Sequence, residues 1–318
     1  EGNLKKFYMR KKTFNRRQFV STIAAGAGTL FLGKTAFGSP LLTSFAGTDP
    51  FQIVSLGRSG LKTTLLGMGT GYSGYNNSSS ITRAGKDSAI ALIRYAYKSG
   101  IRFFDCADAY GTHPHTREAL KDFPRDSYTL CSKILVNRGG SSSSERPDTD
   151  IVIDRFRKEL DTDYIDLIQI HLMTSANWTD EQKKHMDILE TLKAKKIIRA
   201  HGVSVHSLDA MRAAAESPWI DVIHCRINPF GVSMDSSDPG EVVPVIEQAH
   251  RSGKGIIGMK LIGNGSFRDD SEKVNQSIKY VLGLGTVDVL IVGFEFPEQI
   301  DNFASRMRNI PVSGGRNR

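Results

Sequence analysis

The stretch "KDSAIALIRYAYKSGIRFFDCAD", residues 86–108, contains one complete structural unit of this chain. Its first part places Ile90, Ile93 and Tyr97 on one face, which predicts an amphipathic helix that ends at Gly100. Its second part is an apolar run that turns polar at its end, which predicts a buried strand followed by a loop. The unit is therefore a helix that leads into a buried strand.

The same pattern recurs along the chain. Strand-like apolar runs are predicted at residues 65–69, 101–108, 128–133, 165–171, 197–204, 220–227, 255–260 and 287–293. Helical patterns separate these runs, and Thr179 with Gln182 predicts a capping box at the start of one helix. Eight strands alternating with helices predict one α/β domain, a (β/α)8 TIM barrel. A short N-terminal β-hairpin is predicted before it, with its turn at Arg58, Ser59 and Gly60.

The first 46 residues have a different composition. They hold eight of the 42 lysines and arginines but only one acid, so most of the net charge of +8 lies here. Arg16 and Arg17 precede Phe19, and residues 20–33 form an apolar run shorter than the roughly 20 residues that span a bilayer. This arrangement predicts a cleavable export signal and resembles a bacterial twin-arginine signal.

Two segments are therefore predicted: a leader at residues 1–46 and the barrel at residues 47–318. We expect export by the twin-arginine machinery to the periplasm, or a cytoplasmic location if the leader does not function. The barrel is nearly neutral, which predicts no nucleic-acid partner, and no stable membrane span is expected. Cys106, Cys131 and Cys225 lie inside apolar runs, so we expect buried, reduced thiols.

The glycine stretch "GTGYSG", Gly69–Gly74, offers a different interpretation of the fold. It matches the G-x-G-x-x-G fingerprint, in which a strand leads directly into the first helix of a Rossmann domain. Here a long polar run follows the glycines instead of a helix, and the chain shows no break between two domains. The barrel is the favoured interpretation.

Polar residues at the carboxyl ends of the predicted strands mark a candidate site. Asp105, Lys133 and His171 end three successive strands, and Tyr110 follows the first of them. In a barrel these ends share one face, where catalytic residues lie. The ammonium of Lys133 would stabilise a tyrosinate and lower the pKa of Tyr110, while Asp105 holds the lysine. His171 could donate a hydrogen bond to a substrate oxygen.

Three motifs in this chain resemble those of the aldo-keto reductases. "LGRSGLKTTLLGMGT" is similar to the family's hairpin and first strand, "FFDCADAYG" to its second strand, and "LDTDYIDLIQIH" to its fourth. The resemblance covers roughly residues 53–305. It implies Tyr110 as general acid, Lys133 and Asp105 as its tuning pair and His171 as the residue that orients the substrate. It also implies hydride transfer between a nicotinamide cofactor and a small carbonyl or alcohol substrate, which could be an aldehyde, ketone or sugar.

The resemblance further implies where the cofactor would lie. Gly69 and Thr70 end the first barrel strand, where the family's backbone approaches the cofactor. Ser204 matches a serine that holds the carboxamide of the nicotinamide. His224 stands where the family has a glutamine, so this part of the site departs from the family pattern.

Other cofactor positions also depart from that pattern. Met259, with Lys260 beside it, takes the place of a tyrosine that stacks on the nicotinamide. Gly293 and Gln299 replace the lysine and arginine that many NADP-preferring members carry. We expect NADP(H) to be favoured and NAD(H) to be possible.

Two other functions remain open from the sequence. One is an exported protein of the reductase fold that binds a cofactor with little or no turnover, because several cofactor positions are altered. The other is a metal-dependent barrel hydrolase, which would use some of the histidines His113, His115, His171, His206 and His224. That class needs a carboxylate ligand at the end of the last strand, and only Glu295, beyond the strand, is available. We therefore expect no metal site.

Overall fold

The computed structural model describes residues 47–136 and 147–311. The strands are β1 Ile53–Ser55, β2 Lys62–Thr64, β3 Leu66–Gly69, β4 Phe103–Asp105, β5 Thr129–Ile134, β6 Ile165–Met173, β7 Ile198–Val205, β8 Val222–Arg226, β9 Gly255–Met259 and β10 Val289–Gly293. The helices are α1 Ser80–Arg83, α2 Lys86–Ser99, α3 His113–Leu120, α4 Thr149–Leu160, α5 Trp178–Glu181, α6 Lys183–Ala194, α7 Leu208–Glu216, α8 Pro239–Arg251, α9 Ser271–Leu284 and α10 Pro297–Asn309. The predicted leader lies outside the described residues.

Strands β3 to β10 close into a parallel barrel in chain order, with β10 paired to β3. The predicted (β/α)8 barrel is therefore confirmed. Its interior is packed with side chains, and a Cβ on Gly67 would lie 2.6 Å from Cδ1 of Ile291 and 3.1 Å from Cβ of Phe103. The interior of the barrel around Gly67 is thus filled by side chains. A ligand site is therefore expected at the carboxyl ends of the strands.

The predicted hairpin is also present. Strands β1 and β2 pair antiparallel, and the backbone nitrogen of Arg58 at the turn donates to the carbonyl of Gly253. Gly57 packs against the backbone of Lys254 and Gly255, where β9 begins. The hairpin therefore covers the amino ends of the strands and leaves the opposite face open.

Helix α2 follows the prediction closely. Ile93 and Tyr97 are buried, Ile90 packs at the edge of the core, and Gly100 caps the helix with φ of 120°. That positive φ favours glycine because other residues meet steric strain there.

The predicted capping box at Thr179 is wrong. A short helix, α5, contains Thr179, and α6 starts only at Lys183 with Gln182 as its N-cap. Trp178 explains the interruption, because it is fully buried and its indole nitrogen donates to the carbonyl of Ala210 at 3.1 Å. Tertiary packing of this tryptophan outweighs the local capping pattern.

The three cysteines are free and buried, as expected. Within the described ranges, no helix combines the length and the apolar character that crossing a membrane requires.

The close packing of β7 on β8 predicts the effect of a single methyl group. A Cβ on Gly202 would lie 1.9 Å from the carbonyl oxygen of Val222, so Gly202→Ala should lower the free energy of unfolding by about 1–3 kcal/mol. Gly283, inside α9, has open space around it, so Gly283→Ala should raise that free energy by about 0.5–1 kcal/mol. Urea unfolding measures both, and a Gly202→Ala variant as stable as the wild type would contradict the packing.

Candidate active site

Three neighbouring strands bring charged side chains together at the open face of the barrel. Asp105 ends β4, Lys133 lies near the end of β5, and His171 lies near the end of β6. Asp105 pairs in register with Cys131, and Lys133 pairs with Gln169. Side chains two residues apart on a strand share a face, so Cys131 and Lys133 both point into the barrel, as do Gln169 and His171.

Asp105 and Lys133 form an ion pair that is almost completely buried, with side-chain exposures of 7% and 2%. The ammonium also donates to the carbonyl oxygen of Cys106 at 3.1 Å. Burial alone would lower the pKa of Lys133, but the carboxylate of Asp105 and then Tyr110 outweigh it, so the net pKa lies above its ordinary value. Lys133 is therefore a fixed positive charge at the base of the site.

Tyr110 lies above this pair. It ends a single 3₁₀ turn, Asp108–Tyr110, and Gly111 follows with φ of 66°. The ammonium of Lys133 lies 5.2 Å from the centre of the phenol ring, and the ring of His171 lies 5.8 Å away, nearly perpendicular. The structure thus brings together the four residues that the sequence predicts as one site.

Lys133 lowers the pKa of Tyr110, as expected, but the net pKa lies above its ordinary value. Burial raises the pKa of Tyr110 to about 12, and the lowering by Lys133 is smaller than this effect. The negative charge of Asp105 adds a further increase. Tyr110 is consequently a protonated phenol at neutral pH.

The stretch Gly69–Gly74 packs against the ring of Tyr110. β3 ends at Gly69, and the next helix begins only at Ser80, so the Rossmann arrangement is absent. A Cβ on Gly71 would lie 2.1 Å from Cε2 of Tyr110, and one on Gly74 would lie 2.5 Å from Cδ1. These two glycines leave room for the phenol ring.

His171 is buried and neutral. Burial, followed by the positive charges of Lys133 and Lys260, holds the pKa of His171 well below its usual range. Its Nδ1 has no hydrogen-bond partner among the described residues. A neutral imidazole at this position can orient a polar group but is a poor proton donor at neutral pH.

A cavity of about 900 Å³ opens above these residues. Eleven of the twelve predicted site residues line it: Gly69, Asp105, Tyr110, Lys133, His171, Ser204, His224, Met259, Lys260, Gly293 and Gln299. Thr70 does not line it, because its hydroxyl is buried and bonds with Thr112 at 2.8 Å and with the carbonyl of Asp105 at 2.9 Å. Thr70 instead joins the loop after β3 to β4.

One end of the cavity is lined by residues around β10. The side-chain oxygen of Gln299 accepts from the backbone nitrogen of Glu295 at 2.7 Å, so it supports the turn between them. Arg306 is held by Asn302 and Asn275, each at 2.6 Å. Arg268 lies at this end with about half of its side chain exposed, and its guanidinium lies 3.6 Å from the carboxylate of Asp269 and 4.0 Å from that of Glu295.

The geometry does not favour a metal centre. Ligand atoms of Asp105, Cys131 and His224 lie within 4.8 Å of one another. However, Asp105 is paired with Lys133, and burial holds the pKa of the Cys131 thiol well above its usual range. A cation would have to displace an ammonium and deprotonate a buried thiol. Nδ1 of His224 is also committed, to Gln169 at 3.1 Å.

Another of the candidate histidines takes part in a structural network. His113 contacts Ser132 at 2.8 Å and Glu159 at 2.7 Å, which has the form of a serine–histidine–acid triad. Ser132 has no exposed surface, so no substrate can reach its hydroxyl. The network ties α3 and α4 to β5 and thereby supports the strand that carries Lys133.

Several residues at or near the cavity were not predicted from the sequence, and three of them contact or adjoin predicted site residues. Gln169 lies under His224, Arg226 lines the cavity at the end of β8, and Tyr72 packs against Gly265 and Gly293 across the cavity. A signal existed for two of them, because Gln169 and Arg226 lie two residues from a recognised site residue on the same strand. Tyr72 lies in an irregular loop and gave no such signal.

A closed parallel barrel with these polar side chains at its carboxyl ends belongs to the (β/α)8-barrel class. Residues 65–280 match the sequence model of the Aldo/keto reductase family, and the chain belongs to that family.

Several relatives are similar to the chain. The Glycine max protein named "Probable aldo-keto reductase 1" is 28% identical over 225 residues, which are 68% of this chain and 61% of that protein. The matched region thus spans less than two thirds of that relative. An aldo-keto reductase from Bacillus halodurans in its holo form superposes with a TM-score of 0.66 at 18% identity, covering 83% of this chain and 93% of that one. A Klebsiella pneumoniae aldo/keto reductase in complex with NADP and acetate gives a TM-score of 0.60 at 19% identity, covering 82% and 91%.

Because the ion pair is buried, we expect the loss of both partners to lower the free energy of unfolding by less than the two single losses add up to. Lys133→Met leaves the carboxyl of Asp105 buried without its cation, which should cost about 3–5 kcal/mol of unfolding free energy. The double variant with Asp105→Asn carries no charge at either of these two positions, so its loss should be smaller than the sum of the two single losses. Urea unfolding at pH 7 measures the three variants.

The pH dependence of Lys133→Met distinguishes charge from packing. Burial raises the pKa of Asp105, and in this variant the lysine no longer opposes that effect. A carboxyl with a raised folded-state pKa is stabilising at low pH, so stability should fall as the pH rises through that pKa. The double variant should lack this fall. Additive losses with a flat pH profile would show that the charges do not matter.

Proposed function

We propose that this protein is an NAD(P)-dependent oxidoreductase that interconverts a small carbonyl compound and an alcohol by hydride transfer. The observation that carries the proposal is the protonated phenol of Tyr110 at the cavity, above the buried pair of Lys133 and Asp105 and beside His171. Membership of the aldo-keto reductase family supports the reaction class.

Each of the four residues has a role in this reaction. Tyr110 donates the proton that the carbonyl oxygen takes up, and accepts it in the reverse direction. The charge of Lys133 stabilises the tyrosinate that remains, and Asp105 keeps the lysine charged and in place. His171, which is neutral, hydrogen-bonds the substrate oxygen and so orients the carbonyl towards Tyr110.

The cavity fits a nicotinamide cofactor, which supplies the hydride when bound. Two buried polar atoms, Oγ of Ser204 and Nε2 of His224, have no partner among the described residues, and both side chains line the cavity. Met259 lines it as well and would pack on the ring. Gly69 and Gly293 carry no side chain where the two strands end side by side. These residues would hold the nicotinamide half of the cofactor.

We propose NADP(H) as the favoured cofactor, with NAD(H) also accepted. The Klebsiella pneumoniae relative is described in complex with NADP, which supports this choice. In this chain Lys260 and Arg268 line the cavity and could attract its phosphates. Gly293 and Gln299 offer no charge, so we expect the preference for NADP(H) to be modest.

Replacement of Tyr110 tests the proposal most simply. Tyr110→Phe keeps the ring but removes the proton donor, so kcat for carbonyl reduction should fall about 10²- to 10⁴-fold while dinucleotide binding changes little. Reduced-dinucleotide oxidation measures kcat, and fluorescence titration measures binding. Tyr280→Phe on α9 removes a hydroxyl away from the cavity and should have no effect on kcat. Full activity in Tyr110→Phe would refute the role of Tyr110 as proton donor. A wild-type protein that binds the cofactor but reduces no carbonyl compound would favour the non-catalytic alternative.

We further propose that residues 1–46 are a twin-arginine signal and that the barrel, residues 47–318, works in the periplasm. Arg16, Arg17 and the apolar run after them support this, and their export partner would be the twin-arginine machinery. That route carries folded proteins, so a dinucleotide bound in the cytoplasm could be carried along. Tyr72 crosses the cavity and could slow its release.

The export proposal predicts a specific failure. Arg16→Lys combined with Arg17→Lys keeps the charge but removes the arginine pair, so the protein should stay in the cytoplasm with its leader uncleaved. The matched control, Lys11→Arg with Lys12→Arg, should be exported normally. Fractionation and the mass of the chain measure both variants in a bacterium with twin-arginine export. Normal export of the arginine-pair variant would contradict the proposal.

A further inference from the structure

Gln169, on β6, lies below the cavity and contacts one side chain on β5 and one on β8. Nδ1 of His224 lies 3.1 Å from its Oε1, and the sulfur of Cys131 lies 3.9 Å from the same oxygen. Gln169 is fully buried and does not line the cavity, so it cannot touch a ligand there. Of the two side chains that it contacts, only His224 lines the cavity, so its effect on a ligand passes through His224.

The surroundings of the Gln169 amide determine which ring nitrogen of His224 carries the proton. Burial holds the pKa of the Cys131 thiol well above its usual range, so the thiol keeps its proton and can donate. The oxygen of the Gln169 amide faces both the thiol and Nδ1 of His224, and a carbonyl oxygen can only accept. In this arrangement Nδ1 of His224 carries the proton.

The other ring nitrogen of His224 is consequently an acceptor. Burial, followed by the charges of Lys133, His171 and Lys260, holds the pKa of His224 well below its usual range, so the ring is neutral. A neutral imidazole with its proton on Nδ1 has a lone pair on Nε2. Nε2 is buried and has no partner within the described part of the chain.

Ser204 lies beside this acceptor. Ser204 and His224 pair in register on β7 and β8, both line the cavity, and the hydroxyl of Ser204 is likewise buried without a partner in the described ranges. One hydroxyl donor and one nitrogen acceptor therefore stand side by side. This is the complement of a primary carboxamide, which has a carbonyl oxygen and an NH₂ group in one plane.

We propose that Gln169 is a positioning residue, which fixes the proton of His224 on Nδ1 so that Nε2 accepts a hydrogen bond from the NH₂ of the nicotinamide carboxamide. Ser204 donates to the carbonyl oxygen of the same group. This inference rests on the proposed cofactor class. It adds that the site selects cofactors whose pyridine ring carries a carboxamide, and that Gln169 contributes to this selection without touching the cofactor.

The first arm of the test needs no cofactor. ¹⁵N NMR of the histidine-labelled protein distinguishes protonated from unprotonated ring nitrogens, and His224→Gln identifies the signals by removing them. We expect an unprotonated Nε2 in the wild type and in Gln169→Glu, which keeps an oxygen acceptor. Gln169→Leu removes the acceptor and should move the proton to Nε2 in part or in full. A protonated Nε2 in the wild type would overturn the inference, even if no variant folds.

The second arm compares the oxidised dinucleotide with its 3-acetylpyridine analogue, in which a methyl group replaces the NH₂. The wild type should bind the nicotinamide form about tenfold more tightly, because the methyl leaves a buried acceptor unpaired. Gln169→Leu and His224→Phe should reduce this preference to less than twofold, and His224→Gln, with its own carbonyl acceptor, should retain it.

The two arms separate the possible failures. A wild type that binds both forms equally, with Nε2 unprotonated, overturns the contact to the carboxamide but leaves the proposed function standing. If Gln169→Leu prefers the nicotinamide form as strongly as the wild type does, only the role of Gln169 is overturned. If the wild type binds no nicotinamide dinucleotide, the proposed function fails and this inference fails with it.

Discussion

The buried ion pair between Asp105 and Lys133 is the interaction on which the rest of the site depends. It places a full positive charge at the base of a cavity, where water cannot screen it. The pair spans β4 and β5, so the barrel itself fixes its position. A single buried charge would be costly here, and the pair is tolerable because each member satisfies the other.

That positive charge separates the roles of the surrounding groups. Burial and the charge of Lys133 together keep His171 and His224 neutral, so both act through hydrogen bonds. For Tyr110, burial favours the protonated phenol while Lys133 opposes that effect. Tyr110 is therefore the group that starts protonated and can lose its proton with help from a neighbouring cation. Burial and one lysine charge together thus leave Tyr110 as a proton donor and the two histidines as neutral hydrogen-bonding groups.

The order of strands and the four residues Asp105, Tyr110, Lys133 and His171 could be predicted from the sequence. Few folds alternate apolar strands with amphipathic helices in this way, and a parallel barrel places the carboxyl ends of all its strands on one face. The relation of Gln169 to His224 could not be predicted, because the two are 55 residues apart and meet only across the closed barrel. Closure of the barrel creates that contact, and no local pattern encodes it.

Two further details of the site depend on contacts between distant parts of the chain. Thr70 is predicted beside the cofactor through its backbone, and its hydroxyl bonds with that of Thr112, 42 residues further along the chain. Lys133 lowers the pKa of Tyr110 as expected, but burial, which depends on packing by Gly71 and Gly74, has the larger effect.

The most direct test of the central claim follows the hydride itself. The protein is incubated with an aldehyde and a reduced dinucleotide that carries deuterium at both C4 positions, and the alcohol is examined by mass spectrometry and NMR. The account predicts one deuterium on the former carbonyl carbon of the product and loss of this product in Tyr110→Phe. An alcohol without deuterium, or the same yield from Tyr110→Phe, would contradict it.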